Sequence, residues 1–216
     1  LSSSDCAPTA VISTYECGQS DPPVGLNAVD IVSGDYHACA MDQSSEVTCW
    51  GINSSSQREV PSNLGKVKSL SAGNAHTCAI QQSGNLQCWG ANEDSQQDSI
   101  MGIFEPIAVQ TGSFHTCIVD EAGKIYCWGK PDNGQALVPE VVNQYRSDLA
   151  VGNDYSCAID GSGRIECNGN PVYVVSNELA VPVHPGPALS IEAGEEHTCS
   201  IDWQGDVRCW GNNISD

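Results

Sequence analysis

The chain has 216 residues, with 27 Asp and Glu against 8 Lys and Arg and a net charge of −19 at pH 7. That balance excludes nucleic acid as a partner, since such binders carry basic patches that replace counterions on phosphate. It also disfavours an anionic membrane surface, and no apolar run approaches the roughly 18 residues of a membrane span.

Gly (21) and Pro (11) are plentiful, Phe and Met number two each, and no long apolar stripe of helical period occurs, so the chain reads as all-β. It opens at Leu1 with neither Met nor a signal-like segment, as a processed or trimmed product would. The first feature is a cysteine couple, Cys6 and Cys17, eleven positions apart with Pro8 between them and no turn glycine. Residues 1–30 are expected to form an N-terminal partial unit and its connection.

Residues 31–211 then repeat five times. An apolar position (Ile31, Leu70, Val109, Leu149, Ile191) is followed three residues later by Gly34, Gly73, Gly112, Gly152 or Gly194. Three further on stands His37, His76, His115, Tyr155 or His197. Two beyond that comes the first cysteine of a couple ten apart: Cys39 with Cys49, Cys78 with Cys88, Cys117 with Cys127, Cys157 with Cys167, and Cys199 with Cys209. Each couple ends in Trp-Gly, except that Asn168-Gly169 closes the fourth, and the glycines step by 39, 39, 40 and 42 residues. Pro-bearing connections (Val60-Pro61, Glu105-Pro106, Val138-Pro139, Val181-Pro182) separate the units.

The ten-residue spacing has a mechanical reading. Alternation puts Cys39 and Met41 on one strand face and Val47 and Cys49 on one face of the next. A hairpin centred on Ser44 sets Cys39 opposite Cys49 and Met41 opposite Val47, with a three-residue loop ending where four of the five copies carry Gly. Such a loop is a type I turn followed by a left-handed residue. Asp42, Asp120, Asp160 and Asp202 open the turns, where a carboxylate accepts from nearby backbone N–H groups. Opposed cysteines in a non-hydrogen-bonded pair are close enough to bridge. No C-x-x-C occurs, so six local disulfides in an oxidising compartment are expected, with zinc as the structural alternative for these thiols. Units of about 40 residues with three or four short strands indicate the blades of a β-propeller.

The pattern G-x-x-H-T-C-A-I-x-x-x-G-x-x-x-C-W-G, clearest from Gly73 to Gly90, resembles the RCC1-like (regulator of chromosome condensation) propeller repeat, and Asn133-Gly134-Gln135 resembles the family's loop after Trp-Gly. The paired cysteines resemble the disulfide-bearing extracellular branch, similar to Crinkly4-type receptor ectodomains. The resemblance implies one propeller domain over residues 1–216, six blades with one incomplete, or part of a seven-bladed ring. It implies a secreted, non-catalytic recognition or structural module that presents loops to a protein or glycan, within an extracellular assembly or as a soluble binder. Inhibition of a secreted enzyme and a lectin role are the alternatives on the same fold.

Individual residues add little chemistry. The repeat histidines are expected to pack and hydrogen-bond within their own blades rather than ring a metal, and Tyr155 would interrupt such a ring. There is no D-x-D-x-D-G calcium loop, no G-x-S-x-G elbow and no phosphate-cradling loop, so neither enzyme activity nor a cofactor is expected. Trp203 stands out at the tip of the turn Asp202-Trp203-Gln204-Gly205, where an exposed aromatic can anchor a partner. Two N-glycosylation sequons, at Asn53 and Asn213, occupy the same repeat position. The variable segments Ala91–Pro106 and Pro171–Pro187 are candidate recognition loops.

Overall fold

The computed structural model describes residues 18–98, 105–137, 148–170, 181 and 186–212. They form five three-stranded antiparallel sheets, each built from consecutive strands. Blade 1 holds β1 (Ala28–Ser33), β2 (His37–Asp42) and β3 (Val47–Gly51). Blade 2 holds β4 (Val67–Ala72), β5 (His76–Gln81) and β6 (Leu86–Gly90), and blade 3 holds β7 (Pro106–Thr111), β8 (His115–Asp120) and β9 (Ile125–Gly129). Blade 4 comprises β10 (Asp148–Val151), β11 (Tyr155–Ile159) and β12 (Ile165–Gly169), and blade 5 comprises β13 (Ala188–Ala193), β14 (His197–Asp202) and β15 (Val207–Gly211). No described helix is long and apolar enough to cross a membrane.

The hairpin register follows from the cysteine spacing. Cys39 pairs with Cys49 and Met41 with Val47, and the equivalent pairs recur in every blade. All five described couples are disulfides: Cys39 to Cys49, Cys78 to Cys88, Cys117 to Cys127, Cys157 to Cys167 and Cys199 to Cys209. Their Cα atoms are 4.0–4.1 Å apart, as expected of the close, non-hydrogen-bonded pairs of an antiparallel ladder. Zinc is thereby ruled out as the use of these ten thiols. Cys6 and Cys17, the sixth expected couple, lie outside the described residues. The turns also form as the spacing requires. Gly84, Gly123, Gly163 and Gly205 have φ between +77° and +89°, and Ser45 takes the same left-handed conformation at +63°. Asp42 Oδ1 accepts from Ser44 N at 2.8 Å and Glu46 N at 3.0 Å, and Asp202 Oδ1 does the same for Gln204 N and Asp206 N.

Four sheets carry a register shift in the first strand, opposite the hairpin strand's outer end. The extra residue is Val29, Lys68, Ile107 or Leu189, and the three apolar ones are exposed. A bulge leaves one residue unpaired and turns it away from the ladder, so these side chains are no part of a blade face.

Blades stack face to face. Cys39, with Val32, Met41, Val47 and Cys49, packs against Leu70, Ala79 and Trp89 of blade 2. Cys78, Ile80, Leu86 and Cys88 of blade 2 pack in turn against Val109, Ile118 and Trp128. In the same way Cys117 and Cys127 of blade 3 pack on Leu149 and Ala158, and Cys157 and Cys167 of blade 4 pack on Ile191 and Trp210. The disulfide thus sits at the centre of each interblade core.

Candidate functional site

At the inner end of each blade the Gly-x-x-His corner makes a tight turn, with the glycine N–H donating to the carbonyl of the histidine position at 2.8–2.9 Å. Neighbouring corners nearly touch. A Cβ at Gly34 would lie 2.0 Å from the carbonyl oxygen of Gly73, one at Gly73 would lie 2.2 Å from that of Gly112, and one at Gly112 would lie 2.3 Å from that of Gly152. Glycine recurs here because no side chain fits between adjacent blades at the axis.

Beneath the corners of blades 1–3, His37, His76 and His115 lie buried, and they bond across the blade boundary rather than within their own blades, whereas His197 of blade 5 is exposed. His37 Nε2 meets Thr77 Oγ1 at 2.8 Å, His76 Nε2 meets Thr116 Oγ1 at 3.0 Å, and His115 Nε2 meets Ser156 Oγ at 2.9 Å. The expected intrablade bond is therefore corrected: the imidazole is a staple between blades. Strand sequence alone shows which face a side chain takes but not what lies over it. The hydroxyls spend their protons on loop carbonyls, Thr116 Oγ1 on Gln96 O at 2.9 Å and Ser156 Oγ on Gln135 O at 3.1 Å. Each hydroxyl oxygen is then left to accept from Nε2–H, which makes the rings neutral Nε2–H tautomers. Their Nδ1 atoms are buried without a partner. A second proton would have no acceptor, and burial lowers His37 and His115 to about 4 and His76, which also feels the other two rings, to about 3. Tyr155, whose larger ring carries a hydroxyl beyond the reach of an imidazole, reaches blade 5 directly: its hydroxyl donates to His197 O at 2.6 Å and accepts from Thr198 Oγ1 at 3.0 Å, and burial pushes its pKa up to about 12.

The sequence reading placed Gln135 in the loop after Trp-Gly but assigned no role to it or to its counterparts Gln57 and Gln96, which complete this interblade contact. Gln57, Gln96 and Gln135 are fully buried. Gln57 and Gln96 offer their carbonyls to the next blade's indole, Trp89 Nε1 at 2.9 Å and Trp128 Nε1 at 3.0 Å. The side-chain oxygens of the three glutamines accept from Ser55 N, Asp94 N and Asn133 N. The available signal was a glutamine eight residues after the second cysteine in three consecutive copies. Gln96 belongs to the variable segment Ala91–Pro106, so the start of that segment is a structural loop. Residues 99–104 and most of the segment 171–187 lie outside the described residues.

On the axis, the residues following the corner glycines, Asp35, Asn74, Ser113, Asn153 and Glu195, line an opening of about 150 Å³. Asn74 Nδ2 donates to Asp35 Oδ2 across a blade boundary at 2.5 Å. Among the described residues, no three His, Cys, Asp or Glu side chains gather as a metal-binding group.

Of the remaining expected site residues, Asn53 is half-buried and already at work: its Nδ2 donates to Glu59 Oε1 at 2.8 Å and its Oδ1 accepts from Arg58 N at 3.2 Å. Asn92 closes its loop in the same manner without being part of a sequon. Asn213 lies outside the described residues. Trp203 is 57 % exposed at the outer rim of blade 5. Its backbone N–H donates to Pro187 O at 3.2 Å, and its indole lies flush on Gly186, where a Cβ would come within 1.9 Å of Nε1. The ring is held in place from below and open to solvent above.

The sequence profile of the "Regulator of chromosome condensation (RCC1) repeat" matches residues 28–57, 67–96, 107–135 and 189–215, just over half the chain. No curated protein sequence matches significantly. Among solved structures, the CRINKLY WD40 ectodomain of the Arabidopsis thaliana receptor kinase ACR4 superposes with a TM-score of 0.69 at 25 % identity, over 88 % of this chain and 68 % of that one. The entire ectodomain of the Physcomitrella patens receptor kinase CR4 gives 0.70 at 21 % identity, over 90 % and 53 %. Prp20p from Saccharomyces cerevisiae, studied for its binding to Gsp1p and histones, gives 0.67 at 19 % identity, over 84 % and 56 %. The chain thus spans between about half and two thirds of the length of these propellers.

Proposed function

The chain belongs to the RCC1 repeat family, and from that membership we propose that it is a secreted, non-catalytic recognition module that binds a protein partner at the rim of blade 5, with Trp203 as the anchor. The observation that carries this reading is a large aromatic ring fixed against Gly186 and open to solvent at a turn where the other copies hold Gln43, Gln82, Glu121 or Gly161. A rigid, half-buried aromatic loses little entropy on binding, which is why Trp dominates interface hot spots. Five intrablade disulfides support an oxidising compartment, and likeness to receptor ectodomains supports an extracellular role. Asn53 and Asn213 are the glycan acceptors in this reading, and a glycan on Asn53 would displace the contact of its Nδ2 with Glu59.

The test places a photo-crosslinking amino acid at position 203, and at position 121 as the control in blade 3, and exposes both chains to the extracellular fluid of the source. A discrete protein adduct at 203 and none at 121 is expected. Trp203→Ala should weaken capture of that protein by about 10–100-fold, as for a hot-spot residue, with an unchanged melting temperature. Equal capture by Trp203→Ala, or free thiols among the ten described cysteines in native material, would refute the proposal.

A further inference from the structure

The five corners converge on one axial opening, and its chemistry is one-sided. Asp35 and Glu195 bring carboxylates to it, Asn74 and Asn153 amides, and Ser113 a hydroxyl. Among the described residues that line it, none is Lys, Arg or His. Asn74 spends its Nδ2 on Asp35 Oδ2, which leaves its Oδ1 as an acceptor. Asn153 Oδ1 is buried with no hydrogen-bond partner, and so is Asp154 Oδ1 one residue on. A buried acceptor without a donor costs free energy that an incoming N–H group recovers. Tyr36, next to Asp35, is 50 % exposed.

The molecule's cations are placed elsewhere. After each Trp-Gly pair the chain bonds back to the corner, Ile52 N to Tyr36 O, Ala91 N to Ala75 O and Lys130 N to Phe114 O, so the closing loops share the corner end of the blades. Those loops add Glu93, Asp94, Asp98 and Asp132 to the corner carboxylates of Asp154 and Glu196. The two described cations at this end are already engaged. Lys130 lies over the Phe114 ring at 5.2 Å and 3.5 Å from Asp132 Oδ2, and Arg58 donates to Gly51 O at 3.4 Å. Lys66, Lys68, Lys124 and Arg164 stand at the opposite, hairpin end. A recess lined by one sign of charge focuses its field on whatever enters.

We propose that the axial opening takes the ammonium or guanidinium group of a Lys or Arg side chain presented by a protein partner, with Asp35 and Glu195 as counter-ions and Asn74, Asn153 and Ser113 as neutral acceptors. Tyr36 offers its ring to the same cation. At about 150 Å³ the recess has room for one such head group and for no element of secondary structure. A metal ion is the poorer occupant. Calcium takes six to eight oxygens, and the described residues gather no three His, Cys, Asp or Glu side chains as a metal-binding group. The site is separate from the rim of blade 5, because Trp203 lies in the turn between β14 and β15, at the hairpin end.

The test measures binding of a fluorescein-labelled pentalysine peptide to the oxidised chain by anisotropy, at about 0.15 M salt to screen exposed charge. Asp35→Asn combined with Glu195→Gln should weaken binding at least about tenfold. Glu121→Gln combined with Asp206→Asn removes the same charge from the hairpin end and should weaken it less than about twofold. Ser113→Phe fills the opening at constant charge and should also abolish most of the binding, while Trp203→Ala should leave it unchanged. A measurement on the parent chain does not depend on how the variants fold: methylguanidinium should shift the side-chain amide resonances of Asn74 and Asn153 and not those of Asn92. Equal losses from the two charge pairs mean that the peptide follows net charge alone and overturn the proposal. Full binding by folded Ser113→Phe, or Asn74 and Asn153 resonances that do not move, overturns it as well. Weakening by Trp203→Ala overturns it in favour of the rim of blade 5.

Discussion

Acid should unfold this protein through its interblade histidines. His37, His76 and His115 have folded pKa values of about 3–4 against about 6.5 in an unfolded chain. Because the folded values lie below the unfolded one, the native state binds fewer protons throughout the interval, and stability falls as pH falls. Above about pH 7.5 the three contribute little slope, because the unfolded histidines are then also almost wholly neutral. Between about pH 7.5 and 5 each costs on the order of 2 kcal/mol, so the three together cost about 6 kcal/mol. The lower limit stays above all three folded values, so the sum does not depend on how far below it they lie. Most carboxylates also remain ionised at about pH 5, which isolates the imidazoles. Against a typical net stability of about 5–15 kcal/mol, that loss is large. Denaturant titrations of the oxidised chain at the two pH values measure it. A difference below about 2 kcal/mol, or imidazole resonances of these three rings titrating above about pH 6 in the native state, would refute the reasoning.

The axial corners and the hairpin turns should respond differently to one added methyl group. Gly73→Ala drives a Cβ to 2.2 Å from Gly112 O and 2.5 Å from His76 Cε1 and should cost about 3 kcal/mol. Gly84→Ala meets nothing within 4 Å but must hold φ near +89°, so about 1 kcal/mol is expected; thermal melts compare the two. Replacing Cys78 and Cys88 together by Ala should lower stability by about 2–5 kcal/mol while amide exchange still reports the β5–β6 pairing, because the register is also held by Ile80 opposite Leu86. Trp89→Phe removes the indole donor to Gln57 O, a carbonyl that keeps a contact with Thr77 Oγ1 at 3.4 Å, and should cost about 1–2 kcal/mol in denaturant midpoints.

Much of this molecule was determined by the sequence alone. Local geometry depends on near neighbours, so ten-residue cysteine spacing, strand alternation and a turn glycine suffice to define the hairpin, its register and its disulfide. Ser45 shows how firmly: it adopts the left-handed turn conformation without being glycine, because the pairing on either side requires it. The five-fold recurrence then identifies the blade. What covers each face was decided only by the tertiary structure. Nothing within His76's own strand says that its ring reaches a threonine forty residues on, or that Gln57 is buried and holds the next blade's tryptophan. The same limit applies to Ile31 and Ile201, which carry the residue type of their buried counterparts yet stand in the open. Exposure depends on whether another sheet lies opposite, and a repeat read along the chain carries each unit's pattern without recording its neighbours in space.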